Sequence, residues 1–243
     1  MSRTKVFFDG FELTRRFAVS NLKEGLLPRT IKTVEVPGRD GSLFTGVTLT
    51  EKTIVMTLTT LAKTVEERQA AARMLAAILA VDEPKPLLLS IDNGLYRMAI
   101  PSTDIEAARY RNATAFEVSF VVPDPVMYGV EKVITVPSGG SVTFEVGGTY
   151  PTRPVVSASA AANGGNGFWR VRLEDGSYLL ATIPDGVSTA PVIADCEART
   201  LMVNNSVALL DLSADWLKFS PGQHTLEMTG TGAATVTFIE RWL

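Results

Sequence analysis

The stretch Val36-Pro37-Gly38-Arg39-Asp40-Gly41-Ser42-Leu43-Phe44-Thr45 reads as a tight turn between two β-prone runs. Asp-Gly is a strong hairpin signal, because the glycine takes positive φ without a Cβ penalty and the aspartate bonds its own downstream backbone. The flanks agree with a hairpin. Thr30 to Val36 alternates charged or polar with β-branched residues at period two, which predicts a strand with one wet face. Thr48 to Leu61 puts Ile54, Met56 and Leu58 on one side and Thr53, Val55, Thr57 and Thr59 on the other. That predicts a second strand in the same antiparallel sheet. Lys5 to Leu13 reads as a short hairpin ahead of both.

One helix interrupts the strands, expected at about residues 65–81. Thr64 and Glu67 form a Thr-x-x-Glu capping box, and Glu66 and Glu67 suit the positive helix end. Ala71, Leu75, Ile78 and Leu79 then recur at helical spacing and define a stripe to lie on a sheet. Asp82-Glu83-Pro84-Lys85-Pro86 ends the helix, since proline lacks the amide and disfavours helical geometry before it. Strands near 87–91, 96–101 and 113–122 complete this half.

From Val130 the composition changes: lysine becomes rare, glycine and alanine rise, and Pro137-Ser138-Gly139-Gly140 reads as a linker or wide turn. A boundary near residue 130 divides the chain into domains 1–130 and 131–243. Short strands follow at regular spacing without a helix, near 142–146, 155–157, 169–173, 177–182, 192–193, 200–203 and 234–238. Such spacing predicts a β-sandwich. Ala161-Ala162-Asn163-Gly164-Gly165-Asn166-Gly167 reads as a mobile loop. The expected fold class is therefore mainly β: a β-sandwich-like amino-terminal domain with one helix, then a second β-sandwich.

Bulk composition narrows the chemistry. A chain of 243 residues buries a sizeable core without staples. The single Cys196 closes no intrachain disulfide and joins no Cys/His cluster of zinc-binding spacing. Residues 1–130 carry 16 basic and 15 acidic side chains, and 131–243 carry 7 and 11, so no basic face for nucleic acid is evident. The apolar stretch at the amino terminus is too short for a secretory signal, which makes cytoplasmic synthesis the expectation, and no run suits membrane insertion.

Catalytic motifs are missing as well. The lone His224 lies in Pro221-Gly222-Gln223-His224-Thr225 with no Gly-x-Ser-x-Gly elbow or cysteine partner. Phosphate-binding loops are absent, and carboxylate pairs such as Glu66/Glu67 and Glu174/Asp175 are accounted for by capping and turns. The reading is of a protein that is not an enzyme and takes no cofactor or metal.

Several motifs, in their order along the chain, resemble the distal tail protein (Dit) family of long-tailed, siphovirus-type bacteriophages. They are Gly10-Phe11 after the first strand, the Pro37-Gly38-Arg39-Asp40-Gly41 loop, a single helix after an extended β region, and Asp124-Pro125-x-x-Tyr128 at the domain junction. The second half is similar to that family's galectin-like carboxy-terminal domain through Gly148-Thr149-Tyr150-Pro151-Thr152-Arg153-Pro154, the strand pair from Ala194-Asp195 to Val203-Asn204-Asn205, Trp216 to Gly222, and Trp242.

The resemblance implies a structural hub of the tail tip or baseplate, located in the virion tail. Six copies form a ring through the amino-terminal belt domain, between the tail tube protein and the tail-tip protein. The galectin-like domains project outward to anchor receptor-binding or other peripheral proteins, and DNA passes through the lumen without specific binding. Within that frame Pro37, Gly38, Arg39, Asp40 and Gly41 are candidate interface residues, Arg39 being either a fork of donors for a neighbour's carboxylate or a solvated side chain. Asp124, Pro125 and Tyr128 are candidates for pinning the domain junction. Trp169 and Trp216 are either sugar-stacking platforms or core packing. The stacking option defines the alternative function, a carbohydrate-binding adhesion module. The lumen of a DNA-conducting ring is expected to be neutral or acidic, because clustered cations would hold phosphate by counterion release.

Overall fold

The computed structural model describes residues 4–102, 105–109, 113–162 and 167–243. The chain divides into two compact units, Met1–Met127 with Leu243, and Tyr128–Trp242. Its fold is mainly β: a sandwich-like first unit carrying one α-helix among the described residues, followed by a galectin-like β-sandwich.

In the first unit the strands are β1 (Val6–Phe8), β2 (Phe11–Glu12), β3 (Phe17–Glu24), β4 (Arg29–Glu35), β5 (Ser42–Leu49) and β6 (Lys52–Thr60). Helix α1 (Val65–Leu79) follows, then β7 (Lys85–Leu89), β8 (Tyr96–Pro101), β9 (Glu106–Arg109) and β10 (Thr114–Val122). Hydrogen bonding runs β2-β1-β7-β8-β10-β6-β3, with β9 also on β10. Phe8 of β1 and Phe120 of β10 nevertheless meet with ring centroids 5.1 Å apart, so the strand path folds over a shared interior. Into that interior β6 directs Ile54, Met56 and Leu58, as its period-two pattern predicts, and α1 adds Ala71, Leu75 and Leu79. The capping box is fully formed: Glu67 N donates to Thr64 Oγ1 at 3.2 Å and Thr64 N to Glu67 Oε2 at 3.3 Å.

The expectation that 30–36 and 48–61 share one sheet is overturned. Residues 48–61 split between β5 and β6 around Thr50 and Glu51, and β4 pairs only with β5, in a separate two-stranded sheet. Every residue of β4 is exposed, so it lacks the buried face that period two suggested. Alternation specifies a ribbon with two distinct faces, and whether either meets a core depends on what lies beyond the ribbon.

The second unit contains β11 (Met127–Val136), β12 (Ser141–Val146), β13 (Val155–Ala160), β14 (Gly167–Leu173), β15 (Tyr178–Ile183) and β16 (Ala190–Asp195). After these come β17 (Thr200–Val203), β18 (Ser206–Ala208), β19 (Gly222–Gly230) and β20 (Ala234–Trp242). One sheet runs β18-β17-β16-β13-β20-β11 and the other β12-β19-β14-β15. Their inner faces share Trp169, Val171, Leu179, Val192, Leu226 and Val236 among other buried side chains. Pro137 to Gly140 is a tight turn, not a linker, since Gly140 N bonds Pro137 O at 3.1 Å. Asn204 and Asn205, at φ 51° and 61°, join β17 to β18 in the geometry a two-residue hairpin needs. Strand β19 begins at Gly222, so the turn that carries His224 does enter a strand. Of the stretch read as a mobile loop, 163–166 lie outside the described residues.

Candidate assembly interface

Strands β4 and β5 form an arm attached at one end of the β3–β6 pair. Chain order fixes the attachment: β3 passes through residues 25–28 into β4, and β5 returns through Thr50 and Glu51 into β6. Thr50 N bonds Pro28 O at 3.2 Å, which closes the ribbon at that crossing. The tip is the loop 36–41, because Glu35 pairs with Ser42. Its turn is centred three residues earlier than the Asp-Gly signal implied. Arg39 N bonds Val36 O at 3.2 Å, with Pro37 and Gly38 (φ 80°) at the corners. Proline followed by a positive-φ glycine is the type II combination. Asp40 and Gly41 (φ 79°) then lead back into β5. Pro37 to Gly41 are all exposed.

Beneath the tip the arm carries apolar side chains on open faces, with Phe44 63% and Ile31 58% exposed, and Val34, Leu43 and Val47 about half exposed. A concentration of exposed apolar groups on one two-stranded ribbon is the mark of a surface that binds protein. An isolated two-stranded ribbon is also marginal in water. These side chains were not singled out in the sequence, where the loop drew attention instead. The available signal was β5 itself, eight residues without a charge.

A charged cluster holds the root of the arm. Glu24, the last residue of β3, accepts from Arg97 Nη2 at 2.9 Å and pairs with Lys52, the first residue of β6. Arg97 also donates through Nη1 to Asp92 at 2.6 Å. Arg97 and Lys52 are nearly excluded from water. Burying two cations costs free energy unless they are paired and hydrogen-bonded, and here one carboxylate serves both. Parity in the sequence carried this information: Lys52 shares the inward face of Ile54, Met56 and Leu58, and Arg97 that of Ala99.

The junction candidates occupy a turn and a strand. Asp124 accepts from Val126 N at 3.4 Å, an Asx turn that ends β10 ahead of Pro125. Tyr128 lies under the Arg241 guanidinium, 5.4 Å from the ring centroid. The Arg241 carbonyl accepts from both Thr149 N and Tyr150 N at 3.0 Å. A side chain at Gly148 (φ 94°) would collide with that carbonyl. Thr152 exchanges two backbone bonds with Phe219, at 2.9 and 2.8 Å. The Gly148–Thr152 motif thus ties two distant segments of the second unit together. Glu240 at the same end accepts from Gly147 N at 2.7 Å and pairs with Lys132 at 2.5 Å. Burial opposes its ionisation, but those two partners hold its carboxyl below the ordinary glutamate value.

The stacking candidates are brought into the second unit's core. Trp169 is fully buried, and its indole Nε1 has no hydrogen-bond partner among the described residues. Trp216 packs partly buried against the same interior. Stacking on a sugar requires an open ring face, so Trp169 is corrected to a core residue. The lone histidine is tied up: His224 Nδ1 lies 2.6 Å from Glu174 Oε1 and Nε2 2.6 Å from the Ser220 carbonyl.

With the geometry in view, comparison with known proteins places the chain. Residues 9–122 match the family model described as a phage tail protein RIFT-related domain, and residues 147–242 match the carboxy-terminal domain of a siphovirus-type tail component. No curated protein matches in sequence. Among solved structures, the Dit protein (gp 19.1) of phage SPP1, titled a paradigm of the hub adsorption apparatus in phages infecting Gram-positive bacteria, superposes with a TM-score of 0.78 at 18% identity over 100% of both chains. A chain of the phage P2 baseplate in its activated conformation with Ca superposes at 0.53, with 10% identity over 99% of this chain and 98% of that one. Fold and matched domains together define a structural component of a siphovirus-type phage tail. Within that class the chain belongs to the distal tail protein (Dit) family.

Proposed function

We propose that this chain is the ring-forming hub of a tail tip or baseplate, with six copies closing through the belt domain, residues 1–130. The observation that carries the reading is the β4–β5 arm, a ribbon with exposed apolar side chains whose residues, among those described, join neither core cluster. A heterologous contact repeated around an axis closes into a ring if its rotation divides a full turn, and closure leaves no free end to nucleate fibres. Obligate interfaces of this kind bury more than about 2,000 Å² and are apolar. The chemistry is adhesion, with no bond made or broken.

In this reading the ring joins the tail tube protein to the tail-tip protein, and DNA passes along a lumen whose wall does not grip phosphate. Residues 131–243, the galectin-like sandwich, face outward to anchor receptor-binding or peripheral proteins. Asp124, Pro125 and Tyr128 set the junction between ring and outer domain. Native mass spectrometry with negative-stain imaging tests the assembly. Hexameric rings, of the protein alone or with its tube and tip partners, are expected. A monomer that persists with both partners present overturns the reading.

A further inference from the structure

The second unit carries an apolar row on the outer face of one sheet. In β16, β17 and β18 the inward residues, Val192 and Ala194, Leu201 and Val203, and Ala208, pack in the core. The residues between them turn outward, and the ladder aligns Ile193 with Met202 and Met202 with Val207. Ile193 is 40% and Val207 81% exposed, with Met202 half-buried between them. Further across the sheet the same row continues as Ser157 and Thr235, both polar. Past β18 the alternation persists: Leu210 packs on the core, while Leu209 is 95% exposed. Ile193, Met202, Val207 and Leu209 together form a patch of the kind that binds protein, and the arm of the first unit has no part in it.

The row ends at an open strand edge. Strand β18 terminates the hydrogen-bonded path and pairs only with β17 among the described residues. With Asn204 and Asn205 in the two-residue turn, Val203 and Ser206 are the hydrogen-bonded pair, so Val207 turns its N–H and C=O to the free side. Neither charge nor proline guards Ser206 to Leu210. The charges lie around the patch instead. Residues 190–215 hold four acids, Asp195, Glu197, Asp211 and Asp215, against one base, Arg199. Asp195 stands two residues past Ile193 on the same face of β16, and Asp211 two residues past Leu209.

We propose that an extended segment of a peripheral tail protein, aliphatic at its centre and flanked by lysine or arginine, adds to the β18 edge and covers Val207 and Leu209. Backbone bonds to Val207 supply affinity, and the outward side chains read every second residue of the segment. The acid rim selects its charge. A second copy of this chain does not fit, because a two-fold contact over the patch sets the rim against itself. This inference rests on the reading that the galectin-like domain anchors peripheral proteins, and it names the surface and the chemistry of the partner.

Photocrosslinking in assembled tails tests it. The chain with p-benzoylphenylalanine at position 207 is built into phage tails, irradiated and resolved on a denaturing gel, and the captured segment is sequenced by mass spectrometry. The expected product joins this chain to a different tail protein through an aliphatic segment with flanking lysine or arginine. That protein, made alone, then binds the purified parent chain in titration calorimetry and binds Val207→Asp/Leu209→Asp about a hundredfold more weakly, as the loss of two buried aliphatic side chains requires. Both positions are exposed, so the thermal midpoint of the variant is expected to stay that of the parent. A crosslink only to a second copy, a captured segment without basic residues, or equal affinity of the variant overturns the proposal. Tails whose rings are intact by imaging and which give no crosslink overturn it and leave the ring standing. The expected crosslink from a chain that never closes into rings overturns the ring and leaves this contact.

Discussion

Replacing Glu24 by glutamine removes one charge from the root of the arm and nothing from its shape. Glu24 is the shared acceptor for Arg97 and Lys52. Without it Lys52 has no other ion-pair partner among the described residues, while Arg97 retains Asp92. Breaking a buried pair by deleting one member costs about 3–5 kcal/mol, because an uncompensated charge stays behind. Asp92 moderates the loss for Arg97 and the amide oxygen still accepts one hydrogen bond, so about 3 kcal/mol is expected for the first unit. With a urea slope of about 1–3 kcal/mol per molar, the unfolding midpoint falls by about 1 to 3 M. Urea titration followed by circular dichroism measures it. Replacing Glu24 and Lys52 together, as Glu24→Gln/Lys52→Met, removes the stranded ammonium and is expected to recover part of the loss. A midpoint within about 0.15 M of the parent for Glu24→Gln, inside the range of surface substitutions, refutes the view that this cluster holds the root.

Trp169→Ala is expected to cost about 3–5 kcal/mol as a large-to-small core change, whereas Trp169→Phe, which also deletes the unpartnered indole N–H, costs much less; thermal scans of both decide. Equal stability of Trp169→Ala and parent refutes the core assignment. Gly148→Ala meets both a positive φ and the Arg241 carbonyl, and a loss of about 1–3 kcal/mol in the second unit is expected by chemical denaturation. Thr64→Ala removes the cap of α1 and lowers first-unit stability by about 1 kcal/mol. For acid, the depressed carboxyls of Glu240 and Glu174 are each opposed by burial and held down by their hydrogen bonds. Each contributes stability that is present above the ordinary value of 4.5 and lost as pH falls through the lower folded value. Thermal midpoints of Glu240→Gln should fall less steeply than the parent's below that pH, and identical slopes refute the assignment.

Secondary structure was legible wherever a local rule fixes it. The capping box of α1, the inward face of Ile54, Met56 and Leu58, and the hairpins 6–12 and 192–203 all follow from backbone chemistry within a few residues. Errors arose where one pattern serves two environments. Alternation in Thr30 to Val36 is equally consistent with a half-buried strand and with a ribbon in water. Pro137 to Gly140 supplies turn residues whether it separates domains or joins two sheets. Trp169 illustrates the same ambiguity for the site, since an aromatic ring reads alike as platform or as core.

The sequence by itself determined the mainly β class, the single capped helix, the turn at the arm's tip and, through the order of its motifs, membership in a phage tail family. Those features depend on residue preferences that act over one turn or one strand. Only the tertiary structure decided that 29–49 is an arm without a core, that Glu24, Lys52 and Arg97 converge at its root, and that β18 leaves an open edge beside an outward apolar row. Convergence of residues 24, 52 and 97, like the exposure of an edge, depends on which strands become neighbours, and hydrophobic burial settles that over the whole chain at once.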